Sequence, residues 1–199
     1  MKNVTNSLLL LLAAAPSLVA QTPVTIRCDL ADGRQTGCYY CPGYDHVIKF
    51  VGTQIASPSI NLTQFHNQFV LLHGTWDGSI VTVTQAQATA ESFSLTGNGQ
   101  IGSRFRPKSY GNPGELAMNL VALTTAFSVP YLDLAFQLSP IGAVVQGIGT
   151  INGAGEFRTD LDIPNDPLLI GLRIFGQGVV MDSTLGLLTT NVDAKEIQP

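Results

Sequence analysis

Charge is scarce in this chain. Asp, Glu, Lys and Arg together make up 12% of its 199 residues, and acids outnumber bases 14 to 10. A surface with so few phosphate-neutralising cations excludes general nucleic-acid binding. There are only three cysteines and one tryptophan, and the only histidines are His46, His66 and His73. No Gly-x-Ser-x-Gly elbow is present, so the usual sequence signature of a serine hydrolase is missing. Each histidine adjoins an apolar or aromatic residue (Val47, Phe65, Leu72), a setting that suits a structural role better than catalysis. No run of about 20 apolar residues occurs, which excludes a membrane-spanning helix in the mature chain.

The longest apolar run, Leu8 to Ala15, follows Lys2 and is followed by Pro16 and Leu18-Val19-Ala20. This is the three-part layout of an export signal, too short to be a membrane anchor. We therefore expect residues 1–20 to be removed after Ala20, leaving a protein that is secreted, periplasmic or held at the cell surface.

Turn formers are abundant and dispersed: 20 glycines and 11 prolines, with many β-branched residues between them. Low charge with that distribution predicts an all-β protein. From Val24 onward, short runs of alternating apolar residues (Val24 to Cys28, His46 to Thr53, Gln68 to Leu72, Ile80 to Gln87) are separated by turn residues. Period-two alternation means half-buried strands. Asp77-Gly78 reads as a hairpin turn, because both residues tolerate positive φ. Residues 21–96 are expected to form a small five-stranded barrel, and Val47 to Gln87 is similar in strand order and spacing to an oligonucleotide/oligosaccharide-binding (OB) fold. Residues 97–114, rich in Gly and Pro, read as a linker whose basic cluster Arg104, Arg106 and Lys108 is solvated.

Residues 115–199 are expected to form an antiparallel β-sandwich, with runs Leu116 to Leu123, Tyr131 to Leu138, Val144 to Ile151, Glu156 to Ile163, Leu168 to Met181 and Leu185 to Ile197. Helix competes over Glu115 to Ala126, but Val121 and Thr124-Thr125 favour strand. Tyr110-Gly111-Asn112-Pro113-Gly114, then Ile163-Pro164-Asn165-Asp166-Pro167-Leu168-Leu169-Ile170-Gly171, Gln177, Asp182 and Thr189-Thr190-Asn191 follow in order. In these residues the C-terminal half resembles a β-sandwich module found at the C-termini of secreted bacterial proteins. The resemblance implies export and a β-sandwich, and no activity. Pro164 and Pro167 fix φ and remove two donors, so a strand must stop at Ile163. Gln177, amid apolar neighbours, is expected to be a buried amide that satisfies backbone groups across a gap.

The cysteines form the most chemically suggestive pattern, Cys28-x9-Cys38-x2-Cys41-x4-His46. Such a set has the ligand types of a tetrahedral zinc site. Export favours the other reading, a disulfide from Cys28 to Cys38 or Cys41 with one odd cysteine left over, because neighbouring thiols pair in an oxidising compartment. Asp160 and Asp162 lie on one strand face with Asp166 close behind, a set of oxygen donors that would suit calcium. A solvated strand face explains them equally well, and no cofactor is expected. The functional expectation is a secreted non-catalytic binding or structural protein, its ligand a glycan, surface polymer or protein met by the aromatics Tyr39, Tyr44, Phe65 and Trp76. The alternative is an extracellular hydrolase or thiol-dependent enzyme built on Cys41 and His46.

Overall fold

The structure, a computed structural model, describes residues 21–34, 44–130 and 134–199. The N-terminal half is a closed barrel of β1 (Thr22–Ala31), β2 (Val47–Ile48), β3 (Gln54–Ala56), β4 (Gln68–Trp76) and β5 (Ile80–Ala88). In β1 every second residue from Val24 to Leu30 is buried, the period-two pattern of a strand with one face in the core. The strands close in the order β1-β2-β3-β5-β4, with β1 antiparallel to β4 and β3 parallel to β5. This closed, five-stranded order is compatible with an OB-like fold. Inside it Ile26, Leu30, Ile48, Ile55, Leu72 and Val83 are nearly or fully buried, each contributing about 1.5–3 kcal/mol relative to exposure. A short 3₁₀ turn, Leu62–Phe65, links β3 to β4. Asn61 Oδ1 accepts from Thr63 N at its start, and Leu62 enters the same core.

Two local departures have backbone causes. The strand expected over His46 to Thr53 ends at Ile48, because Phe50 (φ 66°) and Gly52 (φ 76°) turn the chain and Ile48 O accepts from both Val51 N and Gly52 N. Between His73 and Gly74 the β4–β5 register shifts. There the strands approach so closely that a Cβ on Gly74 would overlap Thr82 O, which is why a residue without one sits in mid-strand. The Asp77-Gly78 turn forms as expected: Gly78 has φ 100°, and Asp77 Oδ1 accepts from Ser79 N and Ile80 N.

The C-terminal half comprises β6 (Phe93–Thr96), β7 (Arg104–Tyr110), β8 (Leu116–Ala122), β9 (Thr125–Ser128), β10 (Phe136–Leu138), β11 (Val144–Thr150), β12 (Glu156–Arg158), β13 (Leu161–Asp162), β14 (Arg173–Met181) and β15 (Leu187–Glu196). A four-stranded antiparallel sheet β11-β8-β14-β15 packs on a smaller one in which β7 pairs with β6, β12 and β13, while β9 and β10 pair with each other. Phe93, Phe105, Ile163 and Ile197 form one core here, and Leu120, Phe175, Val179 and Val192 another. Residues 116–122 are strand, not helix.

The segment 97–114 is not a linker. It carries β7, with Phe105 and Ser109 fully buried, and β6 of the preceding segment pairs with it, so the barrel ends at Ala88. Pro107 is tolerated because it faces the break between β12 and β13. Only its carbonyl is used on that side, accepting from Thr159 N. The turn after β13 stops the strand as expected. Asp166 then caps a 3₁₀ turn at Pro167–Leu169, so that β14 begins at Arg173 and not at Leu168.

The two halves touch along β1 and β15. Thr25 bridges Leu134, Gln137 Nε2 donates to Arg27 O (2.8 Å), Thr125 Oγ1 donates to Phe50 O (2.8 Å), and Trp76 meets Phe127 edge to face.

Candidate functional site

Cys28 overturns the expected cysteine chemistry at its own position. It is a free thiol, fully buried among the barrel's aliphatic side chains, so no bridge runs from it. Burial, reinforced by the neighbouring Asp29 charge, pushes the thiol pKa far up, away from the thiolate that zinc binding or nucleophilic attack requires. Cys38, Tyr39 and Cys41 lie outside the described residues. Among the described residues, no group of three or more His, Cys, Asp or Glu side chains is arranged to hold a metal ion.

His46 instead lines an open groove of about 390 Å³ beside β2 and β3, together with Tyr44, Asp45, Gln54, Ser57 and Ile60. The chain entering β2 delivers Tyr44 to His46, and β3 with the residues after it supplies the opposite wall. His46 Nδ1 and His66 Nε2 are 2.7 Å apart, with the rings tilted by 54°. A single proton between two imidazoles satisfies both nitrogens, so one ring donates while the other accepts. Partial burial holds the His46 pKa below its ordinary value, and His66 lowers it further, against the opposing pull of Asp45 and Asp32. Asp45 itself pairs with Arg34 at 3.1 Å.

Of the four aromatics expected to be exposed, Tyr44 is at the surface (40% exposed) and on the groove. Phe65 and Trp76 are partly buried against the barrel core, and Trp76 also meets Phe127 edge to face at 5.3 Å. His73 Nδ1 meets Thr25 Oγ1 at 3.1 Å. Among the described residues no serine or cysteine is hydrogen-bonded to a histidine; the hydroxyl that is so paired belongs to Thr25.

The acidic set also has another use. Arg104 donates to Asp162 Oδ1 (2.6 Å) and Asp160 Oδ2 (2.8 Å), and Asp166 Oδ1 is taken up by Leu168 N. The three carboxylates therefore do not converge on a calcium ion. The basic residues read as solvated are their partners across the sheet, and Lys108 likewise meets Glu156 at 2.9 Å. His66, which the sequence offered only as a histidine beside Phe65, is not in the groove's lining and reaches it through His46. Its pairing with a histidine 20 residues earlier has no local signature.

No protein-family model, no curated protein and no solved structure matches the chain. Among the described residues no helix is long and apolar enough to cross a membrane.

Proposed function

We propose that this is an exported, non-catalytic binding protein whose barrel groove beside β2 and β3 receives an uncharged segment of an extracellular polymer, a glycan in the first instance. The observation that carries the reading is the groove itself: open, bordered by the exposed Tyr44 ring, and lined by the hydrogen-bonding side chains of Gln54, Ser57, Asp45 and His46. An aromatic face beside a row of polar groups suits a sugar, which stacks its apolar face and hydrogen-bonds its edge. Small five-stranded barrels of this kind bind oligosaccharides and oligonucleotides across strands 2 and 3, and the acidic balance of the chain favours the neutral polymer. The export layout of residues 1–20 and the C-terminal half's resemblance to modules of secreted bacterial proteins agree with an extracellular ligand. His46 engages a second imidazole in place of a carboxylate, which favours binding over a hydrolase or thiol enzyme at Cys41 and His46.

Titration calorimetry with a panel of neutral oligosaccharides tests the reading. Saturable binding weakened about 5- to 150-fold by Tyr44→Ala is expected, the loss of one stacking face being worth about 1–3 kcal/mol. Turnover of a bound oligosaccharide, or no binding across the panel, would refute it.

A further inference from the structure

We propose that a second cavity, where β1, β4 and β15 meet, binds a small organic carboxylate. This site is separate from the barrel groove and does not rest on the reading given for it. The cavity encloses about 300 Å³ and is lined by Thr25 and Arg27 of β1, His73 of β4, Leu187, Leu188 and Thr189 of β15, and Leu134.

Among the described residues three buried side-chain polar atoms lack a hydrogen-bond partner, and two of them, Arg27 Nε and Thr189 Oγ1, belong to residues that line the cavity. Arg27 Nε is buried with no hydrogen-bond partner, although a buried donor of a charged group normally has one. Arg34, Lys49, Arg104, Lys108 and Arg173 each meet a carboxylate, and among the described residues Arg27 meets none. Thr189, 3% exposed, leaves its Oγ1 unpartnered on the same cavity. The hydrogen bond between Thr25 Oγ1 and His73 Nδ1 orients the imidazole, whose Nε2 makes no hydrogen bond to a described residue. Beneath the site, Gln137 Nε2 holds the Arg27 carbonyl, which fixes the β1 backbone under the guanidinium.

A cation that meets no carboxylate among the described residues, a hydroxyl and an imidazole around one partly open cleft make an oxyanion site. A guanidinium presents its donors as a planar fork, and a carboxylate fills that fork with two parallel bonds. Three leucines complete the wall, so the ligand carries a short apolar body as well as its charged head. The volume limits it to a small molecule. In a chain of net charge −4 this unpaired cation is also a local attraction for anions.

The test uses hexanoate as probe, with hexanol as its neutral counterpart and inorganic phosphate as an oxyanion without an apolar body. Calorimetry and leucine-methyl NMR on the intact protein are expected to show saturable hexanoate binding that shifts the Leu134, Leu187 and Leu188 methyls. Hexanol and phosphate should bind at least about tenfold more weakly. Arg27→Gln should weaken hexanoate about 10- to 100-fold, the range for losing a hydrogen bond to a charged group. Where that variant does not fold, the comparison of hexanoate with hexanol on the wild-type protein decides alone. Equal binding of hexanol, undiminished binding to a folded Arg27→Gln variant, or no saturable binding in the millimolar range would overturn the proposal.

Discussion

Gln177 and Gln137 are locked together at the centre of the C-terminal half: Gln177 Oε1 accepts from Gln137 N at 3.0 Å, and Gln177 Nε2 donates to Thr190 O at 2.9 Å. Both glutamines are fully buried, so this amide ties β14 to β10 and β15 where water does not reach. Gln177→Leu preserves much of the side-chain volume but strands Gln137 N and leaves Thr190 O only the longer bond from Gln137 Nε2 (3.4 Å). With about 1–3 kcal/mol lost per buried group left unpaired, a destabilisation of about 3 kcal/mol is expected in urea denaturation, with little change in the slope of the transition. A loss below about 1 kcal/mol would mean that water replaces the amide.

The role of Gln177 was legible because a single amide in an apolar strand has few other uses. The barrel strands were legible for a similar reason: Val24, Ile26, Cys28 and Leu30 alternate with polar residues, and Gly and Asp mark the turns. β7 was not. Its alternation runs through Arg104, Arg106 and Lys108, and Pro107 in the middle argues against a strand unless the partner sheet is known to break opposite it. The direction of Cys28 was masked as well, because spacing to other cysteines says nothing about which face of β1 it occupies. Its own alternation with Ile26 and Leu30 was the signal that placed it inside. The groove beside β2 and β3 and the cavity beside Arg27 both join residues far apart in the chain, and no local pattern encodes such meetings.

Cys28 should behave as an inert core residue. Alkylation of the native protein is expected to leave it unmodified, while alkylation in denaturant labels it without prior reduction, as read by mass spectrometry. Cys28→Ser places a hydroxyl among aliphatic side chains and is expected to cost about 1–3 kcal/mol, more than Cys28→Val. A mass showing Cys28 in a bridge to Cys38 or Cys41 would restore the disulfide.

The carboxylates of Asp160 and Asp162 should be indifferent to calcium. Both are already engaged by Arg104 at an exposed strand face, where ion pairs contribute little and salt screens them. Millimolar calcium is expected to leave the melting temperature unchanged, and Asp160→Asn or Asp162→Asn to shift it only slightly. A calcium-induced rise that either substitution abolishes would return these residues to a metal site.

Gly74 should resist substitution. A Cβ at this position overlaps Thr82 O across the β4–β5 pair, so Gly74→Ala must push two barrel strands apart or break the ladder at the bulge. A destabilisation of about 1–3 kcal/mol is expected, the usual cost of overpacking a fitted interior. Gly78→Ala, where nothing lies within 4 Å of the added carbon but φ is 100°, should cost less. Equal losses at the two positions would mean that backbone conformation, not the close approach of the strands, governs Gly74.

The His46–His66 pair gives stability a pH dependence whose sign follows from the depressed His46 pKa. Above the ordinary value of 6.5 the imidazole is neutral in both the folded and the unfolded chain, and stability is at its plateau. As pH falls below 6.5 the unfolded chain takes up a proton that the folded one refuses, so the folded state loses ground until the lowered folded pKa is passed. The denaturation midpoint should therefore decline between pH 7 and pH 5, and His46→Gln should flatten part of that decline. His66→Gln should flatten less of the His46 contribution, because partial burial, the larger cause of the shift, remains when the neighbouring imidazole is removed. A midpoint that rises on acidification in the wild type, and loses that rise in His46→Gln, would mean that the folded protein stabilises the charged ring. The two histidines would then share an added proton instead of excluding it.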